Sequence, residues 1–600
     1  MTPLDEMVLV PRPRRVERLE GGAPVGSPVT TRSVPDLPAQ GFRLTIDDGV
    51  HIDHADALGL RYAQQLLDQI AGQAIDGRLP GVRVEDHPDI VHRGFMLDIS
   101  RDRVPTRATL VRLVELCALA RYTQLQLYME HTFTYRDHRE VWQDASPMTP
   151  AHLTWLDGLC SDHGIELVPN QNCFGHMARW LALPRYRDRA ECPDGWDLFP
   201  GVTLPPSVLA PTPENAAFAL DLLAELLPSF RSRQVNIGCD EPFELGRGAS
   251  ADRVAAEGRG PVYVEHVTRL VEPLVDRGYT VQIWADVLRA HPDLARRLPL
   301  GTVPVAWCYE APPSDDRPLA LPPGVAEVMD RLGTDASTFS GFDPLVAPLA
   351  DAGVPFWVAA GTSGWSSLVG RIDNACANLV DAAETASAHG CGGYLVTDWG
   401  DNGHHQPPSV SFGPLVFGGA VAWGLDANRD LPLADVLDRH VFADPTGRMS
   451  AALDRLGRQW SRTGQRAING SPLSAALFPG EMHMVFGRPD RDAVRSVVAE
   501  VETAIADLAR AAPGSDDGEI TVRELTQAAR MARHGAWRLL GDDGPSSQDL
   551  ADDMAALVEG QLVSWMDRSR PGGLSDSLAR LDPTLAARVE ITPDDETDTR

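Results

Sequence analysis

No lysine occurs in the 600 residues, so every one of the 54 basic side chains is an arginine. The arginines are scattered rather than clustered, and this reads as compositional bias rather than chemistry. A basic surplus is also missing: the formal net charge is -30. Such a balance repels polyanions, which excludes nucleic acid or an anionic membrane surface as the expected partner. No apolar run approaches the roughly 20 residues that a membrane span needs. The eight cysteines contain no CxxC spacing. Buried free thiols are expected, and neither a disulfide framework nor a zinc site. The first residues, MTPLDEMVLVPRPRRVERLEGG, have no apolar core behind a basic start. No secretory signal is read there, and the cytoplasm is the expected compartment.

What is present is a composition of 43% apolar and 23% charged residues, ordinary for a globular chain. Residues 1–40 are rich in Pro, Gly and Arg and are expected to form a partly irregular arm. Residues 41–90 read as a small α/β accessory domain. FRLTIDDGVHIDH alternates like a hairpin, ALGLRYAQQLLDQIAGQ has helical spacing, and VRVEDHPDI is a strand with an exit turn. Residues 91–428 are rhythmic. Short apolar runs (GFMLDIS, TQLQLYME, IELVPNQN, QVNIGCDE, TVQIWADV, TVPVAWCY, PFWVAAGT and GYLVTDWG) alternate with amphipathic stretches. Eight such units predict a (β/α)8 TIM barrel of class α/β. A doubly wound sheet is the competitor, but no Gly-rich phosphate turn follows the first strand. Residues 429–590 read as a helical C-terminal domain, with a helix opening at Ser546 or Ser547 and stopped by Pro571-Gly572-Gly573. Residues 591–600 form an acidic tail.

Polar and aromatic residues gather where the eight strands end, the face on which barrel active sites lie. They are Asp98 and Arg101, Glu130 and His131, Asn170 and Asn172, Asp240 and Glu241, Trp284 and Asp286, Trp307 and Tyr309, and Trp399 and Asp401. Cleaving a glycosidic bond needs a proton donor and a group that stabilises an oxocarbenium-like centre; carboxyl groups commonly supply both. Asp240-Glu241, closing the fourth strand, could do so. A lone Asp-Glu pair says little, and adjacent strand residues point to opposite faces, so both reach the cleft only where the backbone twists. Each candidate also has a plain structural reading: Arg93 pairing beneath the barrel, His176 bonded in the core, the Trp residues as packing.

Several motifs in order make the reading specific. HRGFMLDISR (92–101), IELVPNQNCFGHMARW (165–180), VNIGCDEPFEL (235–245) and TDWGD (397–401) resemble the first, third, fourth and eighth barrel strands of glycoside hydrolase family 20, the β-N-acetylhexosaminidases. The stretch from GLRYAQQLLDQI to VEDHP resembles the end of that family's N-terminal domain, and the C-terminal helical part lies outside the resemblance.

The resemblance implies an exo-acting, retaining hexosaminidase in which the substrate's own 2-acetamido oxygen attacks C1. Glu241 would be the general acid and then the base, and Asp240 would orient the acetamide. Arg93 and Asp401 would bind sugar hydroxyls. Trp284, Trp307, Trp365 and Trp399 would wall the pocket, with Tyr309 the candidate for the acetamide-binding tyrosine. His176 would support Glu241 through a carboxylate, Glu130 or Asp98.

This chain departs from the family pattern in places. Asn170 and Asn172 stand at usually acidic positions, Asn236 and Cys239 interrupt the fourth-strand motif, and Trp357-Val358-Ala359-Ala360-Gly361 lacks a Tyr-x-Asp. An exo-glycosidase on a different amino sugar is therefore a second reading, and a non-catalytic sugar-binding barrel a third. The implied partner is an amino-sugar glycoside or oligosaccharide, with no cofactor, and a homodimer stays open. His404-His405 with Asp401 invites a metal, but adjacent histidines chelate poorly and none is expected.

Overall fold

The computed structural model describes residues 4–199, 201–289, 291–313, 321, 323–332, 336–481 and 483–589. The acidic tail lies outside the described residues.

The chain begins with strands β1 (Arg15–Arg18), β2 (Val29–Ser33), β3 (Phe42–Ile46), β4 (Val50–His54) and β5 (Val82–Asp86) in one sheet of order β1-β5-β3-β4-β2. β3 and β4 pair as an antiparallel hairpin. Phe42, Leu44, Ile46, Val82 and Val84 are buried on the face that carries helix Ala57–Ala71, whose N-terminus is capped by Asp56. The stretch read as a loose arm therefore supplies two strands. They lie at the two edges of the sheet with every residue exposed, so no alternation of buried and exposed positions marked them in the sequence.

The eight apolar runs become eight parallel strands: β6 (Arg93–Asp98), β7 (Gln124–Met129), β8 (Glu166–Gln171), then β11 (Gln234–Asn236), β12 (Thr280–Trp284), β13 (Thr302–Trp307), β14 (Trp357–Gly361) and β15 (Gly393–Asp398). A small hairpin, β9 (Trp196–Phe199) and β10 (Val202–Leu204), is inserted after β8. β15 pairs with β6 and closes the barrel. Helices such as Arg107–Leu119, Pro213–Leu226, Arg259–Val275 and Ile372–Ala388 run between the strands. The fold is a (β/α)8 TIM barrel.

The barrel interior is filled in two chemically distinct parts. Met96, Tyr128, Trp284, Val305, Trp357, Ala359 and Leu395 form an apolar cluster. Beside it runs a ladder of amides. Gln126 donates to Gln124 (2.9 Å) and Gln282 (2.8 Å) and accepts from Asn170 (2.8 Å). Gln126 is tolerable there because both of its N–H groups and its oxygen are paired within the ladder.

C-terminal helices Arg448–Gly457, Arg491–Leu508, Gly518–Leu540, Ser547–Arg568 and Leu574–Leu581 carry a further hairpin, β16 (Arg466–Ile468) and β17 (Met484–Phe486). Ser546 caps its helix in a reciprocal box with Asp549. This region packs on its own barrel: Thr106 N–H donates to Arg568 O (3.0 Å) and Arg570 N–H to Val104 O (2.8 Å). Arg103 stacks over Trp565 at 4.7 Å. Among the described residues no helix is long and apolar enough to cross a membrane.

Candidate active site

β11 is only three residues long, and the chain leaves the sheet before reaching the Asp-Glu pair. Gly238 (φ 66°), Cys239 (φ 66°) and Glu241 (φ 48°) all adopt the left-handed conformation. A regular strand would turn Asp240 and Glu241 to opposite faces; this turn lets both line one cavity. Two glycines make the turn possible. A Cβ on Gly238 would stand 2.5 Å from the Asn172 side chain, and one on Gly175 would stand 2.2 Å from the Asp240 carbonyl oxygen. The loops after β8 and β11 thus interlock, which brings His176 to the carboxyl pair.

His176 Nε2 lies 3.2 Å from Asp240 Oδ2 and 3.4 Å from Glu241 Oε2, while Nδ1 is 3.8 Å from Glu130. Burial alone would lower the imidazole pKa, but the Asp240 charge and the contacts with Asp240 and Glu241 lift it well above its ordinary value. Asp240 moves the opposite way. Burial would raise it, yet His176 and the amide of Asn172, which donates to Oδ1 at 2.7 Å, hold it below the usual carboxylate range. Asn172 also donates to Tyr128 Oη (3.2 Å), which donates to Glu130 (3.2 Å). Replacing an acidic residue by Asn172 thus leaves a neutral donor on Asp240, and His176 carries the positive charge of the cluster.

The two shifts have a testable sign. A raised His176 pKa adds stability that is complete below about pH 6.5 and is lost as pH rises through its folded value. A depressed Asp240 pKa adds stability present above about pH 3.9 and lost as pH falls through its folded value. The stability difference between the parent and His176→Gln is therefore expected to be larger at pH 5 than at pH 8, measured by chemical unfolding. An equal difference at both values would break the ion-pair account.

Most of the other sequence candidates converge on the same cavity, of about 1020 Å³: Glu130, Trp284, Trp307, Tyr309, Trp365, Trp399 and Asp401 all line it. Trp307 stacks on Tyr309 (5.3 Å, 14°), and Trp365 meets Tyr309 edge-on (5.1 Å). Trp399 donates its indole N–H to Tyr309 Oη at 2.9 Å. The indole N–H groups of Trp284 and Trp307 have no hydrogen-bond partner among the described residues.

Arg93 is the exception and is corrected here. It opens β6 at the opposite end of the barrel and is fully buried. Its guanidinium donates to the carbonyls of Ile90 (2.6 Å), Val91 (3.0 Å) and Arg121 (2.7 Å) and to Gln40 (2.9 Å), and it lies over Trp423. It ties the accessory sheet to the barrel. The arginine of this motif that lines the cavity is Arg101, eight positions on. It contacts Asp98 (2.7 Å), Asp401 (3.1 Å) and Glu130 (3.5 Å). The available signal was its place just past the strand, three residues after Asp98. Asp98 is not a partner of His176: its oxygens accept from Ser100, Arg101 and Gly400 N–H.

Sequence reasoning placed Asp286 at a strand end without giving it a role, and it missed the share of the C-terminal region. Asn469, His483, Met484, Phe486 and Arg580 reach the cavity rim, and Asn469 accepts from the Trp365 indole at 3.0 Å. Helix Pro323–Leu332 turns Val325, Val328, Met329 and Leu332 to the cavity, at the spacing of one helical face. His405 sits between the carbonyls of Asn402 (3.1 Å) and Ser577 (2.9 Å). No cluster of three metal-ligating side chains occurs among the described residues.

Residues 12–87 match the family description "Glycosyl hydrolase family 20, domain 2". A β-N-acetylhexosaminidase of Cellulomonas fimi is 29% identical over 323 residues, spanning 50% of this chain and 60% of that protein. The chain thus spans less than two thirds of that relative's length. Among solved structures, the Flavobacterium johnsoniae chitobiase aligns over 97% of this chain and 100% of its own, with TM-score 0.53 at 13% identity. A β-N-acetylhexosaminidase of Bacteroides fragilis aligns over 73% of this chain and 95% of its own, with TM-score 0.54 at 14% identity. At such identities the structures speak for the fold alone. The domain match falls on the accessory sheet, and together with the sequence relative it makes the chain similar to glycoside hydrolase family 20.

Proposed function

We propose that the chain is an exo-acting, retaining β-N-acetylhexosaminidase in which the substrate's 2-acetamido group is the nucleophile. The observation that carries this reading is Asp240 and Glu241 sharing one imidazole at a cavity walled by Trp284, Trp307, Tyr309, Trp365 and Trp399. Aromatic faces suit the apolar side of a pyranose ring and an acetamide methyl. The unpaired indole N–H groups of Trp284 and Trp307 offer donors to sugar oxygens; leaving such a donor buried and unpaired costs about 1–3 kcal/mol.

In this reading the acetamide oxygen bonds to C1 as the C1–O bond to the leaving group breaks. Glu241 gives its proton to the departing oxygen. Asp240, anionic beside His176, accepts from the acetamide N–H and stabilises the positive oxazolinium that forms. Water, deprotonated by Glu241, then attacks C1 and reopens the ring with net retention. Arg101 and Asp401 hold hydroxyls on the far side of the sugar.

The test is a panel of aryl β-glycosides of GlcNAc, GalNAc and their non-acetylated analogues, with a thiazoline analogue of the oxazolinium as inhibitor. Turnover confined to the acetylated sugars, with competitive inhibition by the thiazoline, is expected. Turnover without inhibition would reject substrate assistance, and turnover of the non-acetylated analogues would favour a different amino sugar.

A further inference from the structure

Glu241 is held in the left-handed backbone conformation, and both its carbonyl and its N–H are tied to neighbouring groups. Around it, Trp284 N–H donates to Gly238 O (3.0 Å), Tyr263 Oη donates to Cys239 O (2.9 Å), and Phe243 N–H donates to Glu241 O (2.6 Å). The Glu241 N–H donates to a side chain from the neighbouring strand end: Asp286 Oδ2, at 2.9 Å. Asp286 follows β12 by two residues and lines the same cavity. Its other oxygen, Oδ1, is buried and has no hydrogen-bond partner among the described residues.

We propose that Asp286 is the positioning residue of the acid/base: its carboxyl fixes the Glu241 N–H and so holds Glu241 in its left-handed turn, with the side chain in the cavity. A residue with a Cβ adopts that turn only when its surroundings over-determine it. Removing the acceptor leaves the N–H unsatisfied and frees the turn to relax to a negative φ, which swings the Glu241 carboxyl away from the leaving oxygen. Positioning of this kind is sensitive, because proton transfer requires hydrogen-bond reach.

The surroundings explain how a third carboxyl is tolerated there. Asp286 is faced by Asp240, Glu241 and Cys239 on the loop after β11, by Arg259 and Tyr263 on helix Arg259–Val275, and by Arg289 on its own turn. Burial first, and then the Asp240 charge, push its pKa up to about 7. Below that pH the carboxyl is neutral, still accepts the N–H through its carbonyl oxygen, and adds no charge beside the pair.

The proposal rests on the hexosaminidase reading, and leaving-group dependence separates the two. kcat/KM reports the step in which the leaving group departs. A dinitrophenyl leaving group needs no protonation, whereas an alkyl or sugar leaving group does. Asp286→Ala is expected to lower kcat/KM by about 30-fold or more for the poor leaving group and by less than about threefold for the dinitrophenyl glycoside. Asp286→Asn, which keeps an oxygen acceptor in the same shape, is expected to restore most of that loss. Asp286→Glu, with its carboxyl displaced by a methylene, carries the same comparison if the Ala variant does not fold. Equal losses for both leaving groups, or no rescue by Asn, would overturn the positioning role. A flat leaving-group dependence in Glu241→Gln would instead overturn the functional reading beneath it.

Discussion

Glu241→Gln is expected to lower kcat/KM on an alkyl β-N-acetylhexosaminide by about three orders of magnitude, within the range general acid–base catalysis supplies. At 1.36 kcal/mol per tenfold, that is about 4 kcal/mol of lost transition-state stabilisation. The amide keeps the shape of the side chain but has no proton of useful acidity for the leaving oxygen. Folding is expected to be nearly untouched. Glu241 is a third exposed on its side chain, and its contact with His176, at 3.4 Å, is longer than that of Asp240. The loss should shrink for a dinitrophenyl leaving group, which departs without a proton. Unchanged turnover of the alkyl glycoside, with the protein folded, would remove Glu241 from the chemistry.

The second expectation separates the two arginines of the first-strand motif. Arg101→Lys keeps the charge among Asp98, Glu130 and Asp401 but removes the planar fork. Losing a hydrogen bond from a charged donor costs about 1.5–3 kcal/mol, so kcat/KM should fall by roughly 10- to 150-fold with the unfolding midpoint little changed. Arg93→Lys should do the reverse. Its guanidinium serves three backbone carbonyls and Gln40 in a site with no solvent exposure. A lysine cannot reach them all, and carbonyls left unpaired cost about 1–3 kcal/mol each. Stability should fall by about 2 kcal/mol or more, with kcat/KM within about threefold of the parent. Denaturant unfolding and steady-state kinetics on the same two preparations decide it. A catalytic defect in Arg93→Lys without loss of stability would reverse the assignment.

These arginines also show where the sequence stops being informative. Both belong to one ten-residue motif, and a resemblance carried on spacing could not say which one meets the sugar. A six-residue strand rises about 3.3 Å per residue, so residues at its two ends are separated by roughly 17 Å. Arg93 opens β6 beneath the barrel and Arg101 follows it at the mouth. The edge strands β1 and β2 were illegible for another reason: their side chains are all exposed, and burial on one face is what writes alternation into a sequence.

What the amino-acid sequence determined by itself was the barrel and the location of its site. Eight buried parallel strands are largely apolar, the polar side chains inside them pair with one another as the Gln126 ladder does, and the strand ends carry the rest, so both the rhythm and the candidate face are written in residue types. Tertiary structure alone decided which groups act together. The left-handed turn at Gly238–Glu241, the Asp286 carboxyl that accepts the Glu241 N–H, and the rim contributed by Asn469 and Arg580 depend on contacts between segments 45 to more than 100 positions apart. No local pattern records such contacts, because each partner's own neighbours in the chain are satisfied without it.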